Sequence, residues 1–285
     1  MADPASKAVL ITGCSSGIGR ATAEHLASRG WKVYATARRP ESISDLKDRG
    51  CETLALDVTD DASMQAAVNA VEDAEGAVGV LVNNAGYSQS GAVEDVPMDQ
   101  VRRQFETNVF GLARMCQLVL PGMRRQRWGK IVNVSSMGGR LTFPGGGYYH
   151  ATKHAVEAIS DALRYEVAGF GVDVVVIEPG LIRTSFGDAA VAATEQAVSG
   201  SGPYAEFNAA VLAATKGAYE EGPLSKLGGG PETVARAVEK AITRRRPKTR
   251  YRVTPSARMA LATRRVLPDR GWDRFLRSQF PQPGR

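Results

Sequence analysis

The stretch Ala8-Val9-Leu10-Ile11-Thr12-Gly13-Cys14-Ser15-Ser16-Gly17-Ile18-Gly19 decides how this chain folds. Its four leading apolar residues show no polar alternation. They read as a short strand covered on both faces, the kind found in parallel sheets. Three glycines follow at G-x-x-x-G-x-G spacing, and a helical pattern runs from Ile18 to Ser28 before Gly30 stops it. Glycine reaches positive φ and lets backbone N–H groups approach a phosphate closely. The helix N-terminus behind the turn adds partial positive charge. Gly13, Gly17 and Gly19, with Ser15, Ser16 and Ile18 between them, are therefore candidates for holding a dinucleotide pyrophosphate. The spacing differs from the general G-x-G-x-x-G fingerprint, and alone it also fits an ordinary tight turn.

Working outward, strand and helix alternate. Val33–Ala37, Thr53–Leu56, Val78–Val82, Lys130–Val134 and Val172–Ile177 read as further strands. Helical patterns cover Ser42–Arg49, a segment capped by Asp60 and ending near Ala74, Met98–Gln126, Tyr149–Ala168 and Glu232–Thr243. Pro121-Gly122 predicts a bend in the long helix, and Tyr251–Val253 reads as a short edge strand. Such alternation defines βαβ units. The expected class is α/β, with a single Rossmann-like doubly wound parallel sheet of about seven strands and helices on both faces. Leu181–Gly230 breaks the rhythm. An Ala-, Gly- and Ser-rich insertion after a strand's carboxyl end is where a substrate lid sits. The expected division is a catalytic domain over 1–255, with a lid at about 181–230, and a basic extension over 256–285.

Composition bounds the function. The chain has 285 residues, 43% apolar and 23% charged, which fits a folded globular protein and excludes a disordered or collagen-like one. Cys14, Cys51 and Cys116 are too few and too scattered for a disulfide framework or a metal site, and suit a reducing cytoplasm. Met1–Lys7 is short and mixed and reads as no secretory signal. Residues 244–285 hold 13 Lys/Arg and 2 Asp, a net +11, so the first 243 residues net −5. A basic tail suits an anionic lipid surface, an acidic partner, nucleic acid or plain solvation. Nucleic acid is the least expected of these. Trp272, Phe275, Leu276 and Phe280 fall at helical spacing among the arginines. One face of the tail is thus expected to dock on the body or lie on a membrane surface.

Cofactor choice is read at the end of the second strand. An acidic residue there binds a ribose 2′-hydroxyl, whereas arginine accepts a 2′-phosphate. The chain has Thr36-Ala37-Arg38-Arg39, so NADP(H) is favoured over NAD(H), with Arg38 as the main contact.

Tyr149 and Lys153 stand at i and i+4 and share a helix face. Free tyrosine titrates near ~10, too high for efficient proton exchange at neutral pH. A neighbouring ammonium stabilises the phenolate and lowers that value. Tyrosine–lysine pairs also occur on ordinary helix surfaces, so the surroundings matter. Ser135-Ser136, Asn83-Asn84-Ala85-Gly86 and Pro179-Gly180 end three different strands, and Asn108 lies in the long helix.

With these motifs in this order, the chain closely resembles the classical short-chain dehydrogenase/reductase family. The resemblance covers about residues 7–185 by motif and most of 231–255 by pattern. It implies that Tyr149 is the acid/base, that Lys153 holds the nicotinamide ribose and lowers the tyrosine pKa, and that Ser136 hydrogen-bonds the substrate oxygen. It further implies that Asn108 holds a water continuing the proton path from Lys153. Asp57 and Val58 would border the adenine, and Asn84, Ala85 and Gly86 the ribose. Pro179 through Thr184, including Gly180 and Ile182, would cover the nicotinamide. Similar proteins pair through two long helices, here about 98–125 and 149–168, which implies a homodimer or homotetramer. The glycine turn and Tyr34-Ala35-Thr36-Ala37-Arg38 are similar to members acting on steroids and retinoids, and the tail to retinol-dehydrogenase-like bacterial relatives. A small-molecule substrate, a lipophilic alcohol or carbonyl compound, is implied.

Tyr148 has Thr152 four residues on, so Tyr149 is the better acid. His150 and His154 lack a third ligand and a metal-protease pattern. They read as packing or solvent residues, and no metal is expected. Cys14 needs only to be small. Ser136 has no triad histidine in a recognisable arrangement. A cofactor-binding sensor or scaffold, its tail on a membrane or nucleic acid, is the main alternative to an oxidoreductase, and an epimerase the next.

Overall fold

The computed structural model describes residues 5–197, 201–219 and 227–284. Seven parallel strands form one sheet: β1 (Val9–Ile11), β2 (Val33–Ala37), β3 (Cys51–Ala55), β4 (Val80–Asn83), β5 (Gly129–Val134), β6 (Val172–Glu178) and β7 (Arg250–Arg252). Their order is β3-β2-β1-β4-β5-β6-β7. The chain reverses direction across the sheet between β1 and β4, where Ile11 pairs with Val82. Crevices for ligands open outside the carboxyl ends of strands at such a reversal.

Alternate residues of each strand feed two cores. Val9, Ile11, Val80, Val82 and Val132 face α1 (Gly17–Ser28) and α8 (Pro231–Thr243). Leu10, Leu81, Ile131 and Val174 face α2 (Asp61–Glu75), α4 (Gly111–Gln126) and α5 (Gly147–Val167). Both faces are thereby covered, which is why the strand sequences are apolar without alternation. Asp60 caps α2 through the backbone N–H groups of Ala62 and Ser63.

Two helical stretches are irregular. The short helix expected at Ser42–Arg49 spans Pro40–Arg49 and is 3₁₀ in type, with a non-helical residue at Ile43. In the long helical stretch, α3 (Met98–Phe105) passes through a π turn at Glu106–Phe110 into α4, and α4 continues through Pro121. The break in regular α-helical pairing falls at Glu106–Phe110, around Asn108. Proline removes one N–H and so releases the carbonyl of Gln117. Gln117 is exposed, on the solvent side of α4, where a carbonyl needs no partner within the protein.

The described part of residues 181–230, the expected lid, contains α6 (Phe186–Ala197) and α7 (Ala205–Tyr219). Residues 198–200 and 220–226 of the expected lid lie outside the described residues. The tail forms α9 (Pro255–Val266) and α10 (Asp269–Arg277), whose Leu261 and Trp272 pack on Leu141. Among the described residues, no helix is long and apolar enough to cross a membrane.

Candidate active site

The glycine turn lies at the carboxyl end of β1 against the end of β4. Gly13 has φ +74°, and a Cβ there would stand 2.9 Å from Ala85 Cα. Gly17 has φ +58°. A Cβ on Gly19 would stand 2.3 Å from the Gly13 carbonyl oxygen. The turn therefore admits little but glycine at these points. Thr12 Oγ1 accepts from the N–H groups of Asn84 and Ala85, both at 3.0 Å. Asn84 Nδ2 donates to the carbonyls of Thr12 and Gly13, both at 2.9 Å. The Asn84 amide thus braces the turn, leaving Ala85 and Gly86 to border the groove. Ser16 precedes α1 in extended backbone, and its hydroxyl caps no N–H; no acid stands in the first turn of the helix. The first amides of α1 are thus left for an anion.

Arg38 and Arg39 are exposed just beyond β2 and make no ion pair among the described residues. Beyond β3, Asp57 Oδ1 accepts from Thr59 N and Oγ1 at 2.9 and 2.8 Å, and Val58 is buried against Gly111 of α4. Across the groove, the Thr184 side chain would lie 3.3 Å from a Cβ on Gly17, so the chain following β6 reaches the glycine turn.

Tyr149 and Lys153 occupy the first turns of α5. Lys153 Nζ lies 5.9 Å from the Tyr149 ring centre and donates to the Val134 carbonyl at 3.0 Å. Lys153 is 6% exposed. Burial pushes its ammonium down to about 8, opposed by the charge of Glu157 one turn on. A Cβ on Gly86 would stand 3.0 Å from Asn108 Oδ1 and 3.7 Å from Lys153 Nζ, so a bare backbone borders this corner. Asn108, carried inward on the π turn, accepts from Tyr87 N at 3.1 Å. Its Nδ2 donates to Tyr87 O at 2.9 Å and to Thr152 Oγ1 at 3.1 Å. π turns recur where a helix must aim one functional side chain.

Ser136 follows β5, and its Oγ accepts from Gly138 N at 3.1 Å. The turn is pinned on two sides. Met137 N donates to Pro179 O at 2.8 Å, and His150 Nδ1 bonds the Gly138 carbonyl at 3.1 Å. Burial lowers the His150 imidazole to about 4, so it is neutral at pH 7 and carries its proton on Nδ1 to make that bond. Tyr148 turns away, its hydroxyl donating to Val93 O at 3.1 Å. The Phe186 ring of the lid stands 6.1 Å from that of Tyr149.

The structure thus gathers Ser136, Tyr149, Lys153, Asn108 and Gly86 into one corner and the Gly13–Gly19 turn into the adjoining groove. Gly180 N donates to Thr254 Oγ1 at 3.2 Å, and Ile182 is buried, bridging to Gly229. Residues 179–184 are therefore anchored from behind by the start of α9. Sequence reading gave no role to Thr12, Thr152, Phe186 or Thr254. The Thr-Gly pair ending β1 was the available signal for Thr12, whereas the other three act across long sequence separations. The Cys14 thiol is buried, pushed up to about 12 by desolvation, and donates to Ile11 O. It is unsuited to redox sensing.

Fold and corner together define a nucleotide-dependent oxidoreductase with a tyrosine–lysine pair. The family profile described as short chain dehydrogenase matches residues 7–195. A 3-ketodihydrosphingosine reductase of Bacteroides thetaiotaomicron is 36% identical over 263 residues, covering 92% of this chain and 93% of that one. An NADPH-dependent 3-dehydrocapnine reductase of Ornithobacterium rhinotracheale is 36% identical over 276 residues, covering 93% and 94%. A short-chain dehydrogenase/reductase of Burkholderia phymatum, solved with NAD, superposes with a TM-score of 0.78 at 28% identity, covering 93% and 95%. This chain belongs to the short-chain dehydrogenase/reductase family, whose members are NAD(P)-dependent enzymes acting on CH–OH groups.

Proposed function

We propose that this enzyme reduces a lipophilic ketone or aldehyde to its alcohol, using NADPH. The observation that carries the reading is the desolvated Lys153 one turn beyond Tyr149, beside Asn108 and the bare Gly86 backbone. A sensor has no need of a buried ammonium aimed at a phenol. The cofactor, when bound, supplies the hydride that becomes the new C–H bond. Its pyrophosphate fits the cradle of Gly13, Gly17, Gly19 and the uncapped start of α1, flanked by Ser15, Ser16 and Ile18. Asp57 and Val58 would border its adenine, and residues 179–184 would cover its nicotinamide end.

The protein's own part is proton management. Ser136 Oγ donates a hydrogen bond to the substrate oxygen and fixes its direction. Tyr149 gives its phenolic proton to that oxygen as the carbinol forms. Lys153, positive below about pH 8, holds the resulting phenolate until a proton returns from solvent past Lys153 and Asn108. Neutral His150 positions Ser136 through the Gly138 turn.

Arg38 and Arg39 at the end of β2, without an acid between them, support the 2′-phosphate of NADPH. A lipophilic substrate is supported by an open, mostly apolar pocket of about 440 Å³ lined by Ala92, Val93, Pro144, Tyr204 and Phe207, with Glu94 at its rim. It is also supported by the two reductases named above. Exposed Phe110 and Tyr165, on the long helical segments, support pairing of protomers through those faces. NADPH absorbance over ketones of increasing alkyl length tests the reading. Turnover should appear with NADPH, and kcat/KM should rise with chain length. Tight NADPH binding without turnover on any ketone would favour the sensor.

A further inference from the structure

The tail presents two different faces. Inward, Leu261, Trp272 and Leu276 pack on Met137, Leu141 and Phe143, the segment that leads from Ser136 toward α5. Trp272 Nε1 donates to Thr142 O at 3.3 Å. Beyond α10 the chain continues to Phe280, which packs with Tyr204 and Phe207 of the lid side. The extension therefore roofs the substrate side of the site.

Outward, the helices carry an unusual combination. On α10, Arg270, Arg274 and Arg277 stand at i, i+4 and i+7, opposite buried Trp272. On α9, Met259 and Val266 stand at i and i+7 and are 55% and 79% exposed, flanked by Arg258 and Arg265. Arg265, Arg270, Arg274 and Arg277 make no ion pair among the described residues. The two acids of the pair of helices are Asp269, bound by Arg264, and Asp273. We infer that the outer face of α9 and α10 docks this enzyme on an anionic lipid bilayer, with the substrate mouth against the membrane. Guanidinium groups match lipid phosphates. The exposed Met259 and Val266 side chains reach the acyl boundary, as on interfacial helices. A nucleic-acid duplex would use the arginines but has no place for a solvated valine and methionine. Arg244, Arg245 and Arg246 are exposed and precede β7 at the amino ends of the strands, where Lys130 Nζ donates to Arg244 O at 3.0 Å, whereas α9 follows its carboxyl end; they provide a matched control for bulk charge.

Co-sedimentation with vesicles tests this directly and needs no substrate, so its outcome is independent of the proposed reaction. Vesicles are phosphatidylcholine alone or phosphatidylcholine and phosphatidylglycerol in equal parts. Binding is expected only to the second kind and should weaken steeply with salt. The triple variant Arg270→Glu, Arg274→Glu, Arg277→Glu should lower partitioning about a hundredfold. Arg244→Glu, Arg245→Glu, Arg246→Glu should retain most of it, and both should keep the wild-type unfolding temperature. Val266→Asp, which leaves the arginines in place, should also weaken binding. If the glutamate variants lose the fold, Arg270→Ala and Arg277→Ala carry the same comparison. Equal binding to both kinds of vesicle, binding to neither, or equal loss in both triple variants would overturn the inference. So would binding to a DNA duplex that depends on the same arginines while the vesicles are ignored.

Discussion

Two helices, α1 and α5, begin at the same edge of the sheet and offer different things there. The start of α1 is backbone: glycines at positive φ, an uncapped first turn, and Asn84 holding the loop in shape. The start of α5 is side chain: Tyr149 and Lys153 project from it, while His150 and Ser136 lock the turn opposite. Binding a phosphate needs amide directions, which a Cβ would obstruct. Moving a proton needs a side chain whose proton affinity is set by burial and charge. The first site is therefore vulnerable to added atoms, the second to changed charge.

The sharpest way to break this contrast is Tyr149→Phe. The expected result is a loss of about a thousandfold in kcat with the NADPH dissociation constant unchanged by fluorescence titration. A parallel loss of affinity would place Tyr149 with the cofactor groove instead.

A smaller effect comes from His150, on the side-chain site. Its folded imidazole titrates near 4, against an ordinary 6.5 in the unfolded chain. Between those values only the unfolded state takes up the proton. Stability contributed by the neutral form is thus complete above about pH 6.5 and is lost as pH falls toward 4. The loss amounts to about 3 kcal/mol. Urea unfolding across that window should show a shallower pH dependence in His150→Gln than in wild type. Identical slopes would mean that the imidazole is not held neutral.

The smallest expected change tests the backbone site at its one charged end. Arg38→Glu should weaken NADPH by roughly tenfold to a hundredfold and leave NADH almost unaffected. If both cofactors weaken together, Arg38 supports the fold of the groove rather than a 2′-phosphate.

Much of the architecture was legible because apolar runs without alternation mark strands buried on two faces, and Val33–Ala37 was located to the residue. The edges were less so. β3 begins at Cys51 rather than Thr53 because pairing with Val33 extends it. The residues of the corner, Ser136, Tyr149, Lys153 and Asn108, were legible from their motif. Their supports were not: His150 reaches Gly138 and Phe186 reaches Tyr149 only after the sheet has folded. Local spacing carries no trace of either contact. The segment expected as a lid was opaque for a related reason, since α6 and α7 are alanine-rich and lack a strong apolar stripe. Pro121 does not end α4, since a proline beside solvent can leave its carbonyl partner to water. The real departure, at Glu106–Phe110, answers to Tyr87 and Thr152, which lie far away in the chain.

That π turn makes the length of the helical rod 98–126 a fixed quantity. Upstream, α3 meets α5; downstream, α4 meets α2. Each contact demands its own angular phase, and the surplus residue in the π turn supplies the offset between them. Deleting one residue here would therefore act as a twist of roughly 100° rather than a shortening. Either Asn108 would swing off Tyr87 or one of the two helical contacts would be lost. Surface loops in general tolerate gained or lost residues, but this rod, packed along one face, must keep its count.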